Sequence, residues 1–369
     1  MLTGWLKDLI AIPSPSGGEA DLAAYLAGWA RQRGLECHED AGNVYVRLPG
    51  RDAAKAMILH AHMDVVPPGD PARWTTPPFA PDERDGRICG SGASDDKAGI
   101  ACAMAVAAGF AEEAPPVDLW LVWVVCEETD GSGSIAFARW FAERWQGRYR
   151  EVGGVLFEAT ECRWLEYDTK GSVFLRVTTE GGCGHAAMRP DATGSAIAAM
   201  AQAVPRFGEL ERSWHQAGFD QATALVTAVR AGDLEAPNRL DSACEFAVDM
   251  RTTAGMHERV LPEVASLLAD LPHRLDVVGD CPPGFTPPDA PLIQAFEQVL
   301  PGVEKRQSVA SNDLFAFSAI GVPAFVFGPG AKEAIHRPDE YVEVAALERS
   351  VAIIRSFVLG MGEISSSPL

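Results

Sequence analysis

The run MILHAHMDVVP, residues 57–67, constrains this chain more than any other stretch. It begins as an apolar strand, is interrupted at alternate positions by His60, His62 and Asp64, and is stopped by proline. Alternation along a strand sets all three polar side chains on one face. A polar row of that kind is tolerated in a buried strand only with partners, either a hydrogen-bond network or a metal. The fold must therefore bring other polar groups to the end of this strand.

Strand-like and helical segments alternate around it. EADLAAYLAGWARQRG, 19–34, has helical spacing and ends on a glycine stop, and NVYVRL reads as a short strand. The glycine-rich GRICGSGASDDKAG leads into the helical IACAMAVAAGFAEEA; VDLWLVWVVCEE and GGVLFEATE follow as apolar strands. This order predicts an α/β domain with a mixed, largely parallel sheet flanked by helices.

After about residue 168 the pattern changes. GSVFLRVTTEG, a helical run over about 192–210, ATALVTAVRAGD, SACEFAVDMRTT, the helix HERVLPEVASLLADL and RLDVVGD make a β-α-β-β-α-β order, that of a ferredoxin-like α+β unit. CPPGFTPPDAP reads as a hinge back, followed by a helix, the strand VPAFVFG and a closing helix over about 345–360. With 369 residues, two domains are the natural expectation. The boundaries are 1–168 with 284–369 for one domain, and an inserted 169–283 for the other.

The formal charge of −20 argues against nucleic acid and anionic membranes as partners. An anionic substrate must then be held by a few placed cations. No apolar run is long enough for a membrane span, and the opening MLTGWLKDLIAI reads as an amphipathic helix rather than a secretory signal. The eight cysteines form no C-x-x-C pair, as expected of reduced thiols in the cytoplasm.

Open α/β sheets place their sites at the carboxyl ends of the strands. There stand His62 and Asp64, Glu127 and Glu128, Glu158, and, beyond VPAFVFG and its loop, His336; Asp95 and Asp96 open a helix after Gly90 and Gly92. A single aspartate at such a place is most often a helix N-cap and a single histidine a satisfied core residue. Convergence of several segments on one sheet edge points instead to a pair of divalent ions such as zinc. Adjacent glutamates at a strand end point to opposite sides, so one can bind metal while the other reaches a water.

HMDVVP, SGASDDKAG, CEETDGSG, FEATE, GHAAMRP and GPGAKEAIHRPDEYVE, in this order, resemble the M20 family of dinuclear zinc hydrolases. That family includes acetylornithine deacetylase, succinyl-diaminopimelate desuccinylase, aminoacylases and glutamate carboxypeptidase. The resemblance spans the chain, and in the family the inserted domain is a lid and dimerisation domain. It implies a homodimer formed through 169–283 and two divalent ions, zinc or in its place cobalt or manganese. His62 and Glu158 fall at the ligand positions of the first ion, and Glu128 and His336 at those of the second. Asp95 falls at the bridging position, with a cis peptide to Asp96. Asp64 resembles the carboxylate that orients His62, and Glu127 stands at the general-base position. His60 matches no family motif and reads as structural.

In the inserted domain, His185 resembles the histidine that reaches the partner's site and holds the substrate carbonyl oxygen. Asn238 and Arg251 keep the spacing of substrate-binding residues, and Arg251 with the amides near Gly328 and Gly330 would hold a substrate carboxylate. NRLDSACEFAVDMR, RWTTPPF and HRPDEYVE are similar to acetylornithine deacetylases, and glutamate at 158 favours deacylases and carboxypeptidases over dipeptidases. There are departures from the family pattern. VASNDLFAF keeps Ser311 and Asp313 but not the usual string, FEATE lacks a common proline, and GSGAS carries an unusual serine. The first of these lies where relatives contact substrate.

The implied activity is hydrolysis of an N-acyl amino acid or short peptide, best matched by N-acetylornithine-type deacetylation, with Glu127 moving the proton. A desuccinylase, a carboxypeptidase or dipeptidase, and a catalytically silent binding homologue are the alternatives.

Overall fold

The computed structural model describes residues 1–188, 194–219 and 221–362. The chain divides into two compact units. One holds Met1–Asp168, Gly284–Ser308 and Asn312–Leu369; the other holds Thr169–Pro283 and Val309–Ser311.

Among the described residues, the first unit is built on an eight-stranded sheet. Its order is Glu36–Asp40, Asn43–Leu48, Val117–Val124, Asp52–His62, Glu151–Leu156, Ala324–Val326, Trp164–Asp168 and Glu304–Gln307. Asp52–His62 runs parallel to both Val117–Val124 and Glu151–Leu156, and Ala324–Val326 is parallel to Glu151–Leu156. These four neighbours therefore end at the same edge. The two strands beyond Val117–Val124 are antiparallel, which makes the sheet mixed as expected.

Strand alternation separates the two faces. Met57, Leu59 and Ala61 pack in the larger core with the helices Leu2–Ala11, Ala20–Gln32, Lys97–Ala108 and Val344–Gly360. Ala56 and Ile58 pack on the other face with the helices Ser132–Arg144 and Leu314–Ala319. His60 and His62 share that second face, and His60 lies edge-on to Phe317 with ring centroids 5.5 Å apart. Both faces being covered explains why VDLWLVWV is buried along its whole length. Each fully buried leucine or valine in such a strand contributes roughly 1.5–3 kcal/mol.

The sequence pattern did not reveal the strands Glu36–Asp40, Trp164–Asp168 and Glu304–Gln307, nor the small sheet of Asp82–Arg84, Arg87–Cys89 and Tyr341–Glu343. Glu36–Asp40 and Glu304–Gln307 are polar and half-buried or exposed, so backbone pairing defines them; Trp164–Asp168 is mostly buried, but its buried carboxylates Glu166 and Asp168 break the apolar pattern.

The second unit has a four-stranded antiparallel sheet in the order Thr223–Ala231, Ala243–Thr252, Gly171–Glu180, His273–Cys281. The helices Ala196–Gln216 and Val260–Leu268 pack on it through a core that includes Phe207, Phe246, Val248 and Val264. This is the split β-α-β-β-α-β arrangement expected from the sequence. No helix among the described residues is long and apolar enough to cross a membrane.

Candidate metal centre and active site

The parallel strands deliver their polar ends to one place. His62 closes Asp52–His62; Glu127 and Glu128 follow Val117–Val124; Glu158 follows Glu151–Leu156; His336 comes from the loop after Ala324–Val326. Asp95 arrives separately, on the loop that opens helix Lys97–Ala108, where Asp96 caps the helix by accepting from Gly99 N–H. Gly99 is required there, because a Cβ would lie 2.2 Å from both Asp96 Oδ1 and Phe157 Cβ. The Asp95–Asp96 peptide bond is cis.

Asp95 stands between the two histidines. His62 Nε2 lies 2.8 Å from Asp95 Oδ1 and His336 Nε2 3.2 Å from Asp95 Oδ2. His336 Nε2 is also 3.0 Å from Glu128 Oε1. His62, Asp95 and Glu128 bring ligand atoms within 4.8 Å of one another, as do His62, Glu127 and Glu158. Glu127, expected as a base, is thus equally within reach of a ligand position. Both groups draw on His62, and Asp95 turns one oxygen toward His62 and the other toward His336, which lies beside Glu128; this set of imidazoles and carboxylates fits a pair of divalent ions.

The electrostatics agree with that fit. Burial opposes the His62 cation, but Asp64, Asp95 and Glu127 outweigh it and hold His62 well above the ordinary imidazole range. Hydrogen bonds to Asp95 and Glu128 raise His336 to about 10. Burial, then the Asp95 charge, pushes Glu158 up to about 8. Burial pushes Glu127 well above the carboxylate range despite His62, with Asp313, Glu158 and Glu128 adding to it. A cluster of mutually repelling carboxylates partly withdrawn from water is costly unless cations compensate it.

Asp64 organises the other side. It is fully buried, and its Oδ1 accepts Glu127 N–H at 3.0 Å while Oδ2 accepts Glu128 N–H at 3.0 Å and Ser16 O–H at 2.7 Å. His62 Nδ1 lies 3.0 Å from the Asp64 carbonyl oxygen and 3.4 Å from its carboxylate, which leaves Nε2 for the cluster. The residue before the glutamate pair, Cys126, has φ 58°, and His336 has φ 59°. Left-handed backbone costs a non-glycine residue roughly 1–3 kcal/mol and collects at functional sites.

Several supporting residues had no assigned role in the sequence reading. Glu340 is buried and accepts from the N–H groups of Gly92 (2.9 Å), Ser94 (2.7 Å) and Asp95 (3.0 Å), fixing the loop that carries Asp95. Its string DEYVE was the only signal. Asn43 bridges the glutamate turn, accepting from Val125 N–H at 3.0 Å and donating to the Gly133 carbonyl at 2.8 Å. Nothing in the local sequence marks it.

Gly328 and Gly330 answer a packing need. A Cβ at Gly328 would lie 2.4 Å from the Glu158 carbonyl oxygen, and one at Gly330 2.3 Å from that of Ser94. Gly328 N–H donates to Thr160 Oγ1 at 3.0 Å.

The remaining expected residues lie in the second unit. His185 and Asn238 are brought together by the short pairing of Gly184–His185 with Arg239–Leu240, and Ala186 N–H donates to the Asn238 carbonyl at 2.8 Å. Ala187 N–H donates to His185 Nδ1 at 3.2 Å, so a neutral ring carries its proton on Nε2. Arg251 is held by Asp249 through Nε at 2.8 Å and Nη2 at 3.0 Å, with Nη1 3.4 Å from Ser311 Oγ. Arg189 and Pro190 of GHAAMRP lie outside the described residues.

The sequence of residues 58–360 matches the model of peptidase family M20/M25/M40. The chain is 26% identical over 365 residues to a succinyl-diaminopimelate desuccinylase of Cereibacter sphaeroides, covering 94% of this chain and 95% of the relative. It is 28% identical over 381 residues to an acetylornithine deacetylase of Klebsiella pneumoniae, covering 95% of each. Among solved structures, an M20 family metallo-carboxypeptidase of Sulfolobus solfataricus superposes with a TM-score of 0.79 at 16% identity, over 98% of this chain and 99% of that one. The chain therefore belongs to peptidase family M20/M25/M40 and is a metallohydrolase acting on amide bonds.

Proposed function

We propose that the protein removes the acyl group from an N-acyl amino acid of the N-acetylornithine type, in the cytoplasm, as a homodimer associated through the second unit. The observation that carries the chemistry is the half-buried Glu127, whose own N–H donates to Asp64, beside imidazoles and carboxylates that could hold metal. His62 and Glu158 would hold one ion, Glu128 and His336 the other, and Asp95 both; zinc suits the donors, with cobalt or manganese as substitutes. When bound, such ions lower the pKa of a water and polarise the amide carbonyl.

Glu127 takes the proton of the attacking water on a carboxylate oxygen and delivers it to the departing amine nitrogen. Desolvation raises Glu127 well above the ordinary carboxylate range, which favours its holding the proton between the two transfers. His185 of a second copy, through Nε2–H, would hold the carbonyl oxygen as charge develops on it, with Asn238 beside it. Arg251 would hold the substrate carboxylate. Since Nε and Nη2 are committed to Asp249, Nη1 is left with Ser311, which suits one carboxylate rather than two.

That single free edge supports an acetylated over a succinylated substrate. The full-length similarity to a desuccinylase keeps succinyl-diaminopimelate as the second reading, with peptide cleavage behind it. The test is amine release by metal-loaded enzyme from N-acetylornithine, N-succinyl-diaminopimelate and a plain dipeptide in parallel. Preference for acetylornithine, abolished in Glu127→Ala with metal content retained, is the expected result. Near-normal turnover in Glu127→Ala would refute the general-base role.

A further inference from the structure

His60 has no place in the chemistry above, yet it is not a passive core histidine. It is 2% exposed, and its Nε2 lies 2.8 Å from Ser134 Oγ and 3.5 Å from Asp313 Oδ2. Ser134 is fully buried and Asp313 is 3% exposed. A serine, a histidine and an aspartate in contact invite comparison with a nucleophilic triad, but the geometry excludes one. In a triad the serine and the carboxylate use different ring nitrogens; here both face Nε2, and the hydroxyl is sealed from substrate.

What the three residues join is more informative. His60 lies two positions before His62 on strand Asp52–His62. Ser134 is in the first turn of helix Ser132–Arg144, which begins directly after the turn that carries Glu127 and Glu128. That turn is closed by Gly131 N–H donating to the Cys126 carbonyl at 2.9 Å. Gly131 has φ 64°, and a Cβ there would come within 3.0 Å of Phe315 and 3.7 Å of Asp313 Oδ1. Asp313 occupies the N-cap position of helix Leu314–Ala319 but does not cap it. Forgoing a cap gives up about 1 kcal/mol, and the Asp313 carboxylate instead faces the His60 ring, Oδ2 lying 3.5 Å from Nε2. Its Oδ2 is buried without a hydrogen-bond partner, a cost of roughly 1–3 kcal/mol that a purely structural aspartate would not carry. Asp313 is also close enough to Glu127 for its charge to bear on it.

We propose that His60, Ser134 and Asp313 are positioning residues for Glu127, locking the general-base turn to the strand that carries His62. The inference rests on the reading of Glu127 as the general base. Asp64 and Asn43 hold the turn through its backbone N–H and carbonyl groups; the His60–Ser134–Asp313 cluster holds the helix that the turn runs into. Displacing a reacting group by about 1 Å costs on the order of 100-fold in rate, so loosening this cluster acts on kcat.

The experiment compares Asp313→Ala, Asp313→Asn, Ser134→Ala and the Ser134→Ala/Asp313→Ala double variant, alongside Glu127→Ala, all metal-loaded. Turnover is measured on whichever of the three substrates above the native enzyme cleaves fastest. Hydrogen exchange of the peptide containing residues 126–131 provides a readout that needs no substrate. The expected result is a 10–100-fold fall in kcat for both alanine single variants, with KM and bound metal unchanged and faster exchange confined to that peptide. Asp313→Asn, which keeps the shape of the side chain and an acceptor oxygen beside His60, recovers to within a few-fold of the native enzyme. The double variant loses no more than the worse single one, as residues acting as a unit do. Native kcat and native exchange in both alanine variants would overturn the proposal, as would exchange rising throughout the first unit together with metal loss. Activity surviving in Glu127→Ala would instead remove the general-base reading. A dead Glu127→Ala beside normal Asp313 and Ser134 variants would remove only this inference.

Discussion

Replacing Asp64 with asparagine tests how the site is held together. The carboxylate accepts Glu127 N–H and Glu128 N–H, each at 3.0 Å, and Ser16 O–H at 2.7 Å. An asparagine has one acceptor oxygen. Ser16 can rotate its hydroxyl to accept from the new amide, but one of the two backbone N–H groups is left facing an NH2 group. An unsatisfied buried donor costs about 1–3 kcal/mol, and the surviving backbone bond, no longer charge-assisted, weakens by about 1 kcal/mol. The total is roughly 2–4 kcal/mol, a fall of about 5–15 °C in the unfolding midpoint for a unit of this size. Burial works against the Asp64 anion, yet hydrogen bonds from His62, Ser16 and Glu128 hold its pKa below the usual value. A depressed carboxylate stabilises the fold above its unfolded pKa and loses that contribution as pH falls through its folded pKa. The gap between native and variant midpoints should therefore be full at pH 7 and narrow in acid. Thermal unfolding across pH 3–8, with kcat on the metal-loaded enzyme, makes the measurement. A variant with native midpoint and native kcat at pH 7 would sink the argument that Asp64 sets the glutamate turn.

Other outcomes can be checked independently. In the metal-free protein His62 and His336 are held protonated, and Glu158 sits near 8. Zinc binding at pH 7 should then release about two protons or more per pair of ions, read by calorimetry in buffers of different ionisation enthalpy; no release would contradict the assigned ligands. Glu340→Ala strands the N–H groups of Gly92, Ser94 and Asp95. It should cost several kcal/mol by urea unfolding and weaken metal retention. Gly99→Ala forces a methyl against Phe157 and the Asp96 carboxylate, so a loss of about 1–3 kcal/mol is expected. An unchanged unfolding midpoint would show that the helix start can move. Arg251→Ala should raise KM for a carboxylate-bearing substrate by about 10–100-fold while sparing kcat, since it removes binding common to ground and transition states.

The alternation of His60, His62 and Asp64 in an apolar strand, and the glutamates that end two other apolar runs, were legible because burial leaves a period-two or continuous apolar signature. The same physics made the parallel sheet and the antiparallel inserted unit readable. Where burial does not dictate residue type, the pattern was silent: Glu36–Asp40 and Glu304–Gln307 are strands by backbone pairing alone. Asn43 and Glu340 act through backbone N–H groups distant in sequence, and nothing local to them records those partners.

By itself the sequence determined which segments would be buried and which side chains would stand at their ends, because those follow from hydrophobicity and strand period. Only the tertiary structure decided that Asp95 would offer one oxygen to each histidine, that Gly328 would spend its N–H on Thr160, and that His60 would meet Ser134 and Asp313. Each of these is a contact between segments far apart in the chain. Hydrogen-bond geometry is set within tenths of an ångström by how the sheet and helices pack, and no local pattern encodes that packing.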